Sequence, residues 1–306
     1  MASLLRWYPP AWRERYGDEF TVLMEDQAGD RRPTFRVKLS VIGAGLRERG
    51  HASGLIGLQR SPGERARAGS LLVLCTWTAF VLAGASFSKL SEHFAQALPA
   101  GGQPIPRGAF DVVVGFGVLG VVLVALGAVA AVPAFVRFVG GGGWSFIRGH
   151  VLRAVILTAV TTGAVIPLGV WAHHLNAFQR NGGDGLYSAA FVGWAVLVAG
   201  TLAQWTVTGV VAARRMAFTR RVLHVEATLA VVVMVAMVVI TAATALWWGA
   251  MANDAPWFLR GTATGTDPSP FNLQLVMTMT LMLTAVLVAA YGVVRVVGSW
   301  SGLTTA

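Results

Sequence analysis

The sequence predicts an all-α fold: a polytopic membrane helix bundle of six transmembrane helices behind a short N-terminal cytoplasmic helical hairpin. Composition is the first observation. Charged residues make up 12% of the chain and hydrophobic residues 55%, whereas a soluble domain carries about 25% charge. The second is patterning. Residues 68–88, 112–136, 154–179, 185–213, 227–253 and 268–294 contain no Asp, Glu, Lys or Arg. Each stretch provides the roughly 20 residues of helix that cross a hydrocarbon core. The third is the absence of alternation. In lipid every backbone N–H and C=O must be satisfied internally, so only helices and closed barrels span. Barrel strands alternate apolar and polar residues, and the segment VVVMVAMVVI at 231–240 does not.

Residues 1–68 are expected to form a cytoplasmic helical partner-binding region and linker, and residues 69–306 the transmembrane domain. No secretory signal is expected, because the first long apolar run begins only near residue 68. Of the 24 Lys and Arg residues, only Lys89, Arg107, Arg180 and Arg260 fall in the loops opposite the N-terminal region. Basic residues gather on the cytoplasmic side of membrane proteins. Both termini are therefore expected in the cytoplasm, at the cell membrane. Trp171, Trp247, Trp248 and Trp257 are placed to form an interfacial aromatic belt at the outer ends.

Two helices are legible before the first span. The first follows Pro9-Pro10, since proline is tolerated at a helix start. At 100° per residue, Trp12, Tyr16, Phe20, Leu23 and Met24 share one arc, with Glu14, Asp18 and Glu25 on the far side. The second follows Pro33 and carries Phe35, Leu39, Ile42 and Leu46 as a narrow stripe. Stripe-against-stripe packing is expected, with residues 30–33 as the turn.

Charge divides between the two helices. Residues 1–30 hold three Arg against six acidic residues, and residues 31–68 hold nine basic residues against Glu48 and Glu64. A basic juxtamembrane segment is attracted to anionic lipid at about 1 kcal/mol per residue. Arg31, Arg32, Arg36, Lys38, Arg47 and Arg49 are accordingly expected at the membrane surface. The acidic first helix faces the cytosol, suited to a basic partner.

Several motifs carry no chemistry here. Gly115–Gly120 matches G-x-G-x-x-G, but that pattern cradles a pyrophosphate only between a strand and a helix. Inside a span its glycines let a neighbouring helix approach closely. Gly140–Gly143 reads as a flexible turn. No paired metal-ligand motif appears, and the adjacent His173 and His174 point to different faces. Cys75 is the single cysteine and lies inside the first span. No metal site and no cofactor are expected. The net charge of +10 follows from membrane topology, so no direct nucleic-acid binding is expected. Intramembrane charge marks transport and proton pathways. Asp111 and Glu226 sit at span ends where water reaches them. That scarcity counts against ion-coupled transport and against an intramembrane hydrolase, and no enzymatic activity is expected.

The segment Trp7-Tyr8-Pro9-Pro10-Ala11-Trp12-Arg13-Glu14-Arg15-Tyr16-Gly17-Asp18-Glu19-Phe20 resembles the opening of a broad group of membrane proteins from high-GC bacteria, with a pattern close to Tyr-Pro-x-x-Trp-Arg-x-Arg-Tyr-Gly-x-Glu. The arrangement as a whole resembles the six-span anti-sigma factors paired with extracytoplasmic-function sigma factors, including those of lantibiotic gene clusters. That resemblance implies a cytoplasmic N-terminal domain that holds a sigma factor at the membrane. Many such domains carry a His-x-x-x-Cys-x-x-Cys zinc site. This sequence has none and would belong to the zinc-free type.

The resulting expectation is a membrane-bound regulator whose partner is a sigma factor or another cytoplasmic protein. Trp12, Tyr16, Phe20 and Met24 would be its apolar anchors, and Glu14, Asp18, Glu19 and Glu25 would face the partner's basic surface. Large aromatics dominate such interfaces, and opposite charge speeds encounter. The other reading is a transport protein, such as the permease subunit of an ABC exporter or an immunity protein.

Overall fold

The computed structural model describes residues 2–28, 34–52, 61–92, 94–98, 104–176, 179, 184–261 and 273–300. No strand occurs among them. The N-terminal unit comprises α1 (Ala2–Leu5), α2 (Pro10–Ala28) and α3 (Phe35–Ala52). There follow α4 (Pro62–Leu90), the short α5 (Phe94–Ala97), α6 (Pro104–Phe138), a wide turn at Val139–Gly143, and α7 (Trp144–His173). The chain continues through α8 (Gly185–Arg215), α9 (Arg220–Asp254), the short α10 (Pro256–Gly261) and α11 (Leu273–Val297).

Five helices are long and apolar enough to cross a membrane: Pro62–Ala97, Pro104–His173, Gly185–Arg215, Arg220–Asp254 and Leu273–Val297. They mark a multi-pass membrane protein. The sequence leads one to expect six, and the difference lies in the second. Two expected spans fall within one helical run of 70 residues. Straight, such a run would reach about 105 Å, against a hydrocarbon core of about 30 Å. Helical dihedrals lapse inside it, at Gly141 (φ −81°, ψ 16°) and Gly142 (φ 85°, ψ 5°). A positive φ is disfavoured for residues with a Cβ, which is why glycine occupies the break.

Local chemistry fixes the helix starts. Ser61 Oγ accepts from Glu64 N at 3.2 Å while Glu64 Oε2 accepts from Ser61 N at 3.4 Å, a reciprocal cap with Pro62 in the first turn. α4 therefore begins at Pro62, upstream of residue 69 where the transmembrane domain was expected to start. Asp184 Oδ1 accepts from Leu186 N and Tyr187 N to start α8, and Thr219 Oγ1 accepts from Val222 N to start α9. Within the apolar helices several hydroxyls return to the backbone, whereas the buried Thr244 hydroxyl has no partner among the described residues. Thr76, Thr158, Thr201, Thr206, Thr208 and Thr241 each donate to the carbonyl four residues back.

The membrane helices associate in two groups. α4, α6, α9 and α11 enclose one apolar core that includes Phe87, Met237, Trp247, Met251 and Met282. α4 and α11 cross where Gly69 meets Gly292. A Cβ built on Gly69 would lie 2.5 Å from Gly292 O, and one on Gly292 would lie 2.9 Å from Gly69 O. Gly120 of α6 receives the Trp77 ring, which would stand 2.1 Å from a Cβ there. The glycine here accepts the end of a long side chain and does not bring the α4 backbone close, so the close helix approach expected of the G-x-G-x-x-G glycines is not what they provide. Gly115 and Gly117 have open space.

α7 and α8 form the second group, joined by hydrogen bonds. Thr161 and Thr201 hydroxyls pair at 2.8 Å, Trp205 Nε1 donates to Thr158 Oγ1 at 3.0 Å, Trp194 Nε1 donates to Thr161 O at 3.1 Å, and Gln204 Nε2 donates to His150 O at 3.3 Å. Interhelical hydrogen bonds of this kind are the adhesive available in lipid. Thr78 and Thr206, 2.9 Å apart, tie this pair to α4.

Trp247 departs from the expected aromatic belt. It is 0% exposed, with Phe87 edge-on at 5.0 Å and Phe94 at 5.7 Å between ring centroids. Aromatic rings at these separations gain beyond area burial, so the ring is drawn into the core. Trp257 is exposed.

Gly69→Val places its side chain against the α11 backbone and is expected to cost about 1–3 kcal/mol by overpacking. Gly84, also in α4, has nothing within 4 Å of its Cβ position, so Gly84→Ala is expected to leave stability unchanged or higher. Thermal unfolding in detergent checks the pair: a clear drop in Tm for the first variant alone.

Candidate functional site

The N-terminal unit is organised around residues 6–8. Tyr8 is buried together with Met24 of α2 and Val41 of α3, and Leu4, Trp12, Phe20 and Val37 pack around them. Tyr8 stacks on Trp12 at 4.0 Å, Trp12 meets Phe20 edge-on at 5.6 Å, and Tyr16 lies 5.5 Å from Trp12. On the α3 side, Gly45 lets the main chain approach. A Cβ there would stand 2.9 Å from Trp7 Cβ and 3.0 Å from Trp7 C. Arg49 then clamps the segment, donating from Nε to Trp7 O at 2.7 Å and from Nη2 to Arg6 O.

This arrangement reorders the expected hairpin. α3 uses Val37, Val41 and Gly45, the side opposite the stripe that the sequence singles out. Phe35 is 74% exposed, and Leu39 and Leu46 are exposed as well. The reason is the segment at residues 6–8, whose aromatic and backbone surface fills the space that the stripe would have occupied. The expected turn at residues 30–33 lies outside the described residues, as do Arg31 and Arg32. Arg36, Lys38 and Arg47 are exposed beside the free stripe. Arg49 is exposed too, with its guanidinium engaged by backbone carbonyls.

Of the expected apolar anchors, Met24 is buried and Trp12 and Phe20 are half-buried within the aromatic cluster, while Tyr16 is exposed. Glu14, Asp18 and Glu19 are all exposed; the Glu25 side chain lies outside the described residues. Two apolar residues stand among these acids. Val22 is 66% and Leu23 62% exposed. At helical spacing Glu14, Asp18 and Val22 form one row, and Tyr16, Glu19, Leu23 and Asp26 the row beside it. The outer surface of α2 is thus acidic with apolar residues set into it. Val22 was not singled out from the sequence, and its spacing of four from Asp18 is the signal that could have found it.

Among the described residues, a hydrogen bond links this unit to α8. Arg214 Nη2 donates to Ala52 O at 3.1 Å. Elsewhere, Asp111 of α6 is exposed. Glu226 is not: it is half-buried, with its carboxylate against Gly127 of α6. Among the described residues no group of three or more His, Cys, Asp or Glu side chains could hold a metal ion.

No family model, curated protein or solved structure matches this chain.

Burial, and after it the negative charge of Glu48, raises the Tyr8 phenol above its ordinary value of 10.0. The unfolded phenol then ionises first. Tyr8 favours the packed unit fully below the unfolded value, and this contribution is lost as pH rises through the folded one. Alkaline titration of tyrosinate absorbance is expected to show a late-ionising tyrosine that Tyr8→Phe removes. An unchanged profile in that variant would place the buried phenol elsewhere.

Proposed function

We propose that this protein is a membrane-bound regulator that sequesters a basic cytoplasmic partner on the outer surface of α2, and that the partner is an extracytoplasmic-function sigma factor. The observation that carries the reading is the exposed surface of Glu14, Asp18, Glu19, Val22 and Leu23 on α2 of the N-terminal unit. An exposed helix with apolar residues among acids suits a partner that offers a groove rimmed by Lys and Arg. Tyr16 adds an aromatic contact at the edge. Trp12, Phe20 and Met24 act behind this surface, holding α2 in place through the aromatic cluster. The resemblance of residues 7–20 and of the overall layout supplies the sigma-factor identity. The chain has no cofactor in this role and is not an enzyme.

In this reading the helices cross the cell membrane six times with both termini in the cytoplasm. Ala134 before the glycine break and Ile147 after it share one buried cluster with Leu71 and Val210. That sharing supports a chain that turns back between α6 and α7. α3 lies along the inner leaflet. Its free stripe of Phe35, Leu39 and Leu46, flanked by Arg36, Lys38 and Arg47, has the make-up of an interfacial helix drawn to anionic lipid. A signal reaching the membrane helices shifts the population of states in which α2 is presented.

The test is capture by the full-length protein in nanodiscs. The sigma factor encoded beside it is expected to bind. Replacing Glu14, Asp18 and Glu19 by Lys is expected to weaken binding at least about tenfold, while circular dichroism and melting stay unchanged. A wild-type protein that fails to capture, or a triple variant that captures equally well, overturns the reading. The first outcome, with an ATPase recovered through the loops at 139–143 and 216–219, would make the chain a transport subunit.

A further inference from the structure

A cleft of about 400 Å³ separates α6 from the α7–α8 pair, with α4 and α9 behind it. Its size lies within the roughly 300–1,000 Å³ of small-molecule sites. It occupies the half of the membrane region toward the arginine-rich helix ends, since its lining comes from the first turns of α4, α7 and α9 and the last turns of α8. Val124, Ala128, Val132, Phe135 and Trp205 give it an apolar wall, and Val132, Phe135 and Trp205 are exposed, so it opens sideways to lipid.

Two charged side chains line this cleft, Arg67 and Glu226. Both are half-buried. Glu226 lies against the α6 backbone, where a Cβ on Gly127 would stand 3.2 Å from its Oε2. Among the described residues neither side chain has an ion pair or a hydrogen bond, and the charge nearby on the α8 side of Arg67 is a like one, Arg214. A basic and an acidic group in one apolar cleft, not paired with each other, are costly to keep ionised unless something joins them.

We propose that the cleft binds an aminophospholipid, with the headgroup phosphate at Arg67, the primary ammonium at Glu226, and one acyl chain along the wall from Val124 to Trp205. Charge complementarity selects this occupant. An anionic lipid would satisfy Arg67 and be repelled by Glu226. A cationic amphiphile would satisfy Glu226 and leave Arg67 bare. A water-soluble zwitterion would leave the apolar wall empty. An aminophospholipid carries both charges and a chain, and it is at hand in the bilayer. The inference is independent of the partner assigned to α2.

The experiment is native mass spectrometry of the full-length protein in detergent with equal amounts of phosphatidylethanolamine and phosphatidylglycerol. Phosphatidylethanolamine is expected to be retained in preference, and Glu226→Gln and Arg67→Gln are each expected to weaken its retention about tenfold, the scale of a hydrogen bond to a charged group. Gly209→Phe fills the cleft from a position with nothing within 4 Å of its Cβ. It is expected to displace the lipid at unchanged Tm, which keeps the test valid if a charge variant misfolds. Equal or greater retention of phosphatidylglycerol, retention untouched by Glu226→Gln, or retention untouched by Gly209→Phe overturns the proposal.

Discussion

In hydrocarbon a peptide N–H or C=O without a partner costs several kcal/mol. That penalty decides where this chain is regular and where it breaks. Among the described residues the long apolar stretches form helices, and threonines such as Thr76, Thr206 and Thr241 turn their hydroxyls back onto the helix carbonyls. The lapse at Gly141 and Gly142 falls between Arg137 and Arg148, where the sequence is basic and the apolar run pauses. The same penalty underlies the proposed reversal there. A helix of that length could not continue straight without leaving the bilayer, and a break at mid-membrane would strand backbone groups.

Within lipid, apolar surface alone gives helices no reason to associate, so close packing and hydrogen bonds must do it. The two groups of helices use these separately. α4 and α11 meet backbone to backbone at Gly69 and Gly292, and their neighbours fill a core rich in methionine and aromatic side chains. α7 and α8 rely on Thr161, Thr201, Trp194, Trp205 and Gln204. Because the second pair reaches the first mainly through α8, a cleft is left between them. In the N-terminal unit one choice has a similar consequence. Once the Trp7–Tyr8 segment takes the Val37–Val41–Gly45 side of α3, the opposite stripe is left free beside its basic residues, and the acidic side of α2 stays open.

Helix identity and membrane character were legible because charge-free stretches of the required length have few other physical solutions. The roles of individual glycines were legible only in kind. The pattern at residues 115–120 pointed to close packing, yet Gly120 alone meets a neighbour, and the decisive pair, Gly69 and Gly292, lies far apart in sequence. Trp247 was placed with the belt because it sits near a span end; its burial depends on Phe87 and Phe94, which periodicity on α9 does not reveal. The packing face of α3 was misassigned for the same reason. Its stripe is the stronger periodic signal, but the partner that settles the matter is the short segment at residues 6–8. Glu226 reads as a solvated span end from the sequence, and its place against Gly127 in the cleft between helices half-buries it.

The proposed turn at the glycine break assigns a side of the membrane to every later loop. Single cysteines in a Cys75→Ser background, probed on intact cells with a membrane-impermeant maleimide, test it. Leu186→Cys and Asn253→Cys are expected to label from outside, and Gly141→Cys and Thr219→Cys only after the membrane is opened. Labelling of Thr219→Cys from outside with Leu186→Cys shielded would mean that residues 104–173 cross once, and would contradict it.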